Sequence, residues 1–337
     1  MKNLFLVLVC GVTCACSSQT SSSTPQHAAA KKPSSKAGSS TGTAGAAGAM
    51  VQGSAGASAS TDAGTGSDGW TELLKGTWQL AGGQETFQCV RKTVDHDLYI
   101  HGFRAIAPLG THHTVLSVGA PNGPDGIAPC GGGAGLAGGF TVPNMIFGSG
   151  VGTRDIVFPD GVALKIAAGQ QLNSNLHLFN TSSAPLTGES GNEVLLMDKS
   201  DVQYLADNML AGPLLFSIPP NGQPTVISGQ CTMDADTNVF AVQPHMHTLG
   251  THQHVTVQTA ASGEILLHDG PYTFDEQVYY SMDPVPVAKG DKIKVDCTFV
   301  NTTGSAVTFG ESTTNEMCLA SVYRYPASGA SHSICSF

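Results

Sequence analysis

Four histidines stand in the stretch PHMHTLGTHQH, residues 244–254, of a chain that has twelve in all. No cysteine or carboxylate lies among them, so the chemistry on offer is imidazole coordination of a metal. Residues two apart on a strand point to one face, so His245 and His247 can close on a single ion with Met246 turned away. His252 and His254 share that spacing and read equally well as a solvated face. Two other places concentrate ligands: His112 and His113 in THHTV, and His177 in NSNLHLFN. Neighbours on a regular strand point to opposite faces. His112 and His113 can therefore share an ion only at a strand start or bulge, and Gly110 and Thr111 make such a start. Met317, in NEMCLASVYRYP, offers a soft neutral thioether that favours Cu(I) over Cu(II). Each piece is weak alone: a lone strand histidine is usually hydrogen-bonded and half-buried, and a methionine near strand residues is most often core filling.

Strands are what must hold these side chains. From about residue 70 apolar residues alternate in short runs, among them DLYIHGFRAI, HTVLSV, LHLFN, NVFAVQ, HVTVQT, KIKVDCTFV and LASVYRYP, broken by Gly, Pro, Asn and Asp. Period two over four to eight residues with turn signals between predicts half-buried strands and an all-β fold of sandwich or jelly-roll type. SDVQYLADNML is the one stretch compatible with a helix, or is merely a linking segment. The glycine-dense CGGGAGLAGG at 130–139 reads as a surface loop, because it lacks the lysine and following helix of a phosphate cradle. Apolar strands resume at GPLLFSI, which puts a division near 205–212.

The chain has 337 residues and a formal charge of −10. That charge, with no basic run in the folded part, argues against a nucleic-acid partner. The start, MKNLFLVLVCGVTCACSSQ, is a secretory signal by its basic residue, short apolar run and small residues. TCACSSQ resembles the lipobox of bacterial lipoproteins, with Cys16 as the lipidated residue and Cys14 as the alternative; Ser17 after it does not resemble an inner-membrane retention signal. The expectation is therefore an exported protein, held at the outer membrane by its N-terminal lipid, on the periplasmic or cell-surface face. Residues 16–69 are rich in Ser, Thr, Ala and Gly and form a disordered tether. NTS at Asn180 and NTT at Asn301 match the glycosylation triplet by chance. Six cysteines lie beyond the signal region: Cys89, Cys130, Cys231, Cys297, Cys318 and Cys335. An even number in an exported chain suggests disulfides, and periodicity does not choose among the pairings.

Taken jointly, these motifs resemble the copper type II, ascorbate-dependent monooxygenases, the family of peptidylglycine α-hydroxylating monooxygenase and dopamine β-monooxygenase. THH, FAVQPHMHTLG and EMC followed by a Tyr-rich strand occur in the family's order over most of 85–337. The resemblance implies two tandem β-sandwich domains, here 70–207 and 208–337 after a signal peptide at 1–15. It implies two coppers per chain, one on His112, His113 and His177, the other on His245, His247 and Met317, where O₂ is used. Ascorbate or another reductant would supply electrons, and a C–H bond of a small molecule would be hydroxylated by a monomer. The resemblance also implies the pairings Cys89–Cys130, Cys231–Cys335 and Cys297–Cys318. His252 and His254 match no family ligand. At the places where the peptide-amidating enzymes grip a carboxylate stand Gln243, Leu319 and Ser321, so a glycine-extended peptide is not the expected substrate. Asn175 stands where a glutamine often precedes the third histidine. Competing readings are a non-catalytic copper-binding or copper-delivery lipoprotein, and a structural β-sandwich with incidental histidines.

Overall fold

The computed structural model describes residues 68–130, 145–150, 152–260, 263–310, 312, 314–328 and 334–335. The signal peptide, Cys14, Cys16, the tether up to residue 67 and the glycine-dense stretch from 131 onward lie outside the described residues. All described residues fall within one compact unit, Ser60–Phe337.

Almost every element is a strand. The first half supplies β1 (Trp70–Leu80), β2 (Glu85–Thr93), β3 (Leu98–Ile106), β4 (Thr111–Gly119), β5 (Gly126–Pro129), β6 (Met145–Gly150), β7 (Ile156–Val157), β8 (Val162–Ile166), β9 (Gln171–Phe179) and β10 (Leu186–Leu196). The second supplies β11 (Tyr204–Ala211), β12 (Ser217–Ile218), β13 (Pro224–Thr232), β14 (Thr237–His245), β15 (Gly250–Thr259), β16 (Gly263–Pro271), β17 (Tyr280–Val287), β18 (Lys292–Val300), β19 (Val307–Thr308), β20 (Leu319–Tyr325) and β21 (Ile334–Cys335).

One long sheet runs β1-β10-β3-β8-β11-β20-β14-β17, so strands of both halves share it. A five-stranded sheet, β5-β2-β9-β4-β6, belongs to the first half, and a four-stranded sheet, β13-β18-β15-β16, to the second. Inward residues explain the layering. Leu172, Leu176 and Leu178 of β9 meet Ile100, Phe103 and Leu164 of the long sheet in one core. Val255, Val257, Ile293, Val295 and Phe299 meet Val239, Val242 and Val322 in another. Alternation thus places apolar residues between sheets and leaves His113, Asn175 and His177 on an outer face. Phe240, Ala241, Tyr279 and Tyr323 of the second half complete the first core.

The stretch SDVQYLADNML is not a helix. Only Lys199–Asp201 make a single 3₁₀ turn, and Tyr204–Ala211 form β11, parallel to β8 on one side and antiparallel to β20 on the other. Residues 206–211 are buried without alternation, as a strand covered on both faces must be, and such a run mimics a buried helix in sequence. GPLLFSI contributes only the short strand Ser217–Ile218. Three disulfides are present, Cys89–Cys130, Cys231–Cys335 and Cys297–Cys318. No helix among the described residues is long and apolar enough to cross a membrane.

Candidate metal centres

The first histidine group owes its geometry to a β-bulge. β4 pairs with β9, and the register skips between Thr111 and His113, leaving His112 as the extra residue. The skip turns both imidazoles toward His177, which lies directly across from His113. Gly110 precedes the bulge with φ +101°, and a Cβ there would strike the Trp78 ring at 2.6 Å, so glycine is required on both counts. The three rings sit 4.6–5.2 Å apart by centroid. Nδ1 of His113 lies 3.0 Å from Nδ1 of His112 and 3.3 Å from Nδ1 of His177.

Those separations are the test of fit for a metal. Nitrogens bound to one ion at about 2 Å stand roughly 3 Å apart, so three converging Nδ1 atoms match a coordination edge. Glu85 supports the same tautomer: its carboxylate lies 2.5 Å from Nε2 of His177, accepts that N–H, and leaves Nδ1 a free lone pair. Phe87 stacks on His177 at 4.3 Å with planes 7° apart, which restrains the ring. Burial holds the His113 imidazole well below its ordinary range, helped by repulsion from His177 and His112. Burial also lowers His177, against the opposing pull of Glu85. Both shifts favour the neutral imidazole at His113 and His177, the form that coordinates.

At the second group β14 ends on His245, opposite Leu319 of β20. Met246 is fully buried in the second core, so His245 and His247 fall on one side, with centroids 5.4 Å apart. Nδ1 of His245 is 3.1 Å from Oε1 of Gln277, and Nδ1 of His247 is 3.0 Å from the carbonyl of Asn315. Each Nδ1–H donates, which frees both Nε2 atoms as ligands. Glu316 fixes the turn that follows, accepting from the N–H of His247 at 2.8 Å and of Leu249 at 2.6 Å. Burial pushes its carboxyl up to about 7 despite these bonds. Burial, then repulsion from His245, lowers His247 to about 4; burial lowers His245 as well.

Met317 follows Glu316 directly and packs with Phe309 and Leu319 in a small apolar cluster. The segment carrying it is therefore tied to the histidine pair from two sides, through Glu316 to His247 and through Leu319 to His245. Cys318 adds a covalent tie to Cys297 on β18. Gln243 and Ser321 face each other across β14 and β20, with their polar groups engaged by protein. Gln243 donates to the carbonyls of Gly148 and Gln277 at 3.2 and 3.3 Å, and Ser321 donates to Asn208 at 2.8 Å. Leu319 is buried beside Met317. Asn175 lies two residues before His177 on the same strand, across from Cys89.

Sequence reasoning assigned no role to Glu85, Gln277, Glu316 or Phe274, all of which touch the histidines or their backbone. Glu316 lies inside the quoted NEMC stretch and could have been singled out as an acid beside a ligand. Phe274 and Gln277 had no local signal. His252 and His254 stand apart from both groups, paired with Asp269 at 3.1 Å and Asp296 at 3.6 Å.

Residues 204–336 match the family described as copper type II ascorbate-dependent monooxygenase, C-terminal domain. That match and the relatives below support the copper type II, ascorbate-dependent monooxygenase family. Among curated proteins it is 26% identical over 210 residues to DBH-like monooxygenase protein 1 of Gallus gallus, covering 56% of this chain and 34% of that protein. It is 26% identical over 203 residues to DBH-like monooxygenase protein 2 of Mus musculus, covering 54% and 33%. It is also 27% identical over 233 residues to DBH-like monooxygenase protein 1 of Mus musculus, covering 61% and 35%. The chain spans about half or less of the length of such relatives. That family is copper and ascorbate dependent and uses O₂.

Proposed function

We propose that this chain is an exported copper-dependent monooxygenase that hydroxylates a C–H bond of a small molecule, using O₂ and ascorbate or an equivalent reductant. In this reading His112, His113 and His177 hold one copper, and His245, His247 and Met317 hold a second. The observation that carries it is the convergence of the His112 and His177 Nδ1 atoms on that of His113, at 3.0 and 3.3 Å, in a chain whose residues 204–336 match this family. Copper, when bound, supplies the redox and oxygen chemistry. The chain's own groups have different tasks. Glu85, Gln277 and the Asn315 carbonyl take up the outward N–H protons and so select the coordinating tautomers. Glu316 holds the turn between His247 and Leu249. The Phe87 ring shields one side of His177.

Three further proposals complete the reading: lipid attachment at Cys16, an outer-membrane location on the periplasmic or cell-surface face, and a monomer without a nucleic-acid partner. The deciding experiment measures copper in the purified mature chain, then O₂ uptake with ascorbate against a panel of small C–H substrates. Two coppers with substrate-coupled uptake support the enzyme. Copper without coupled uptake would instead fit a copper carrier, and absence of copper would end both readings. Mass spectrometry of the mature N-terminus tests the anchor, which an unmodified Cys16 would remove.

A further inference from the structure

The segment between β16 and β17 touches both histidine groups. Its ends are fixed on opposite sides of the seam: the Tyr272 hydroxyl donates to the carbonyl of Met246 at 2.6 Å, and the Tyr279 hydroxyl accepts from the N–H of Gly148 on β6 at 2.9 Å. Between them, Gln277 meets His245 through its side chain. Its backbone carbonyl accepts from Gln243 and from the Thr153 hydroxyl. Gln277 also lies so close to Gly150 that a Cβ there would come within 2.6 Å of its Cγ, and Gly150 sits directly across from His113.

Phe274 is the middle of this strap. Its ring lies 5.2 Å from that of His112 and 5.9 Å from that of His247 by centroid, edge-on to the latter at 80°. One aromatic ring thus contacts a member of each group. Its neighbours Thr273, Asp275 and Glu276 are exposed, whereas Phe274 is half-buried. The crest therefore faces water with polar groups and presents a single apolar ring inward. A backbone bolted at both ends has little freedom, but a side chain with two torsions can swing within it.

We propose that Tyr272–Tyr279 is the strap that governs access to the His245/His247 pair, and that Phe274 is its specificity-determining residue, setting by size what reaches that pair. The proposal rests on the copper reading above. A molecule entering from solvent must displace the Phe274 ring, so small uncharged groups are admitted readily and bulky ones slowly.

The test uses the full chain loaded with copper(II) and azide as probe, followed by the azide-to-copper absorption band. Phe274→Ala should speed azide binding at least tenfold, Phe274→Leu by a smaller factor, and Phe274→Trp should slow it. The same series in a His113→Ala background, in which the first group is broken, should show the same order. Equal azide rates in wild type, Phe274→Ala and Phe274→Leu, with copper content intact, would overturn the strap while leaving the copper reading in place. An effect confined to chains with His113 would also overturn it, because the ring would then guard the other group. Absence of copper from the wild-type chain would instead sink the functional reading itself.

Discussion

The five-stranded and four-stranded sheets repeat one another, and among the described residues only the first carries a metal-type cluster on its outer face. β2-β9-β4-β6 in the first half matches β13-β18-β15-β16 in the second. β9 and β18 both end in a plug made by a buried asparagine. Asn180 donates to the carbonyls of Ala81 and Ala184 and accepts from both the N–H and hydroxyl of Ser182. Asn301 does the same with Ile218, Ser305 and Thr303. The asparagine of each glycosylation triplet is thus a buried loop plug. Even the bulge recurs: the register skips between Thr111 and His113 on β4, and between Gly250 and His252 on β15.

That equivalence accounts for His252, one of the two histidines of the 244–254 stretch that match no family ligand. The register that sets His113 opposite His177 sets His252 opposite Thr298, and Thr251 occupies the bulge where the first half has His112. His252 is the counterpart of a cluster histidine with both companions replaced by threonine. The second half keeps its histidine pair elsewhere, at the end of β14 in the long sheet. A shared scaffold therefore does not fix where a metal-type cluster sits; three side-chain identities at one bulge do.

The sharpest break of this comparison is ligand removal. His177→Ala and His245→Ala should each lower copper from two to one per chain, by metal analysis, and together abolish it; retention of both coppers in either single variant would refute the assignment. Next is a gain of function. Thr251→His with Thr298→His should build a third centre around His252, read as an additional equivalent of copper or zinc. No third equivalent in the folded double variant would mean that the outer faces are not interchangeable.

Smaller effects sharpen the parallel. Asn180→Ala and Asn301→Ala should each cost about 2–4 kcal/mol, because buried carbonyls and an N–H lose their partner, and lower the melting temperature by roughly 5–15 °C. Markedly unequal losses would argue that the plugs do different jobs. In metal-free protein, His113, His177, His245 and His247 all have pKa values lowered by burial. Their contribution is complete above 6.5, the ordinary value, and is lost as pH falls through the folded values, about 4 for His247. Glu316, raised to about 7, acts oppositely: its contribution is present below its ordinary 4.5 and is lost as pH rises through 7. Four groups against one predict a net loss of stability on acidification, measurable by urea unfolding between pH 7 and 5, and a flat profile would contradict the burial of the rings. The smallest effect belongs to His252→Ala and His254→Ala. Their partly exposed pairs with Asp269 and Asp296 should change stability by no more than about 0.5 kcal/mol and copper content not at all.

Much of this was legible in the chain because period-two alternation reports directly on a half-buried strand. LHLFN and KIKVDCTFV announce β9 and β18, and the first of them carries His177. β11 was not legible: Ala206–Ala211 are buried on both faces, so the alternation that marks a strand is erased there. Phe274 and Gln277 were equally hidden. They meet the histidines only because a turn far along the chain folds back across β6 and β14, and no local pattern encodes that return. Residue type and spacing by themselves determined an all-β chain with two sets of imidazoles suited to a metal, since strand periodicity and ligand chemistry are local properties. Tertiary structure alone decided that a bulge turns His112 toward His113 and His177, that Glu85 and Gln277 orient the rings, and that His252 faces threonines. Each of those depends on register between strands distant in sequence, which is fixed by burying the two cores.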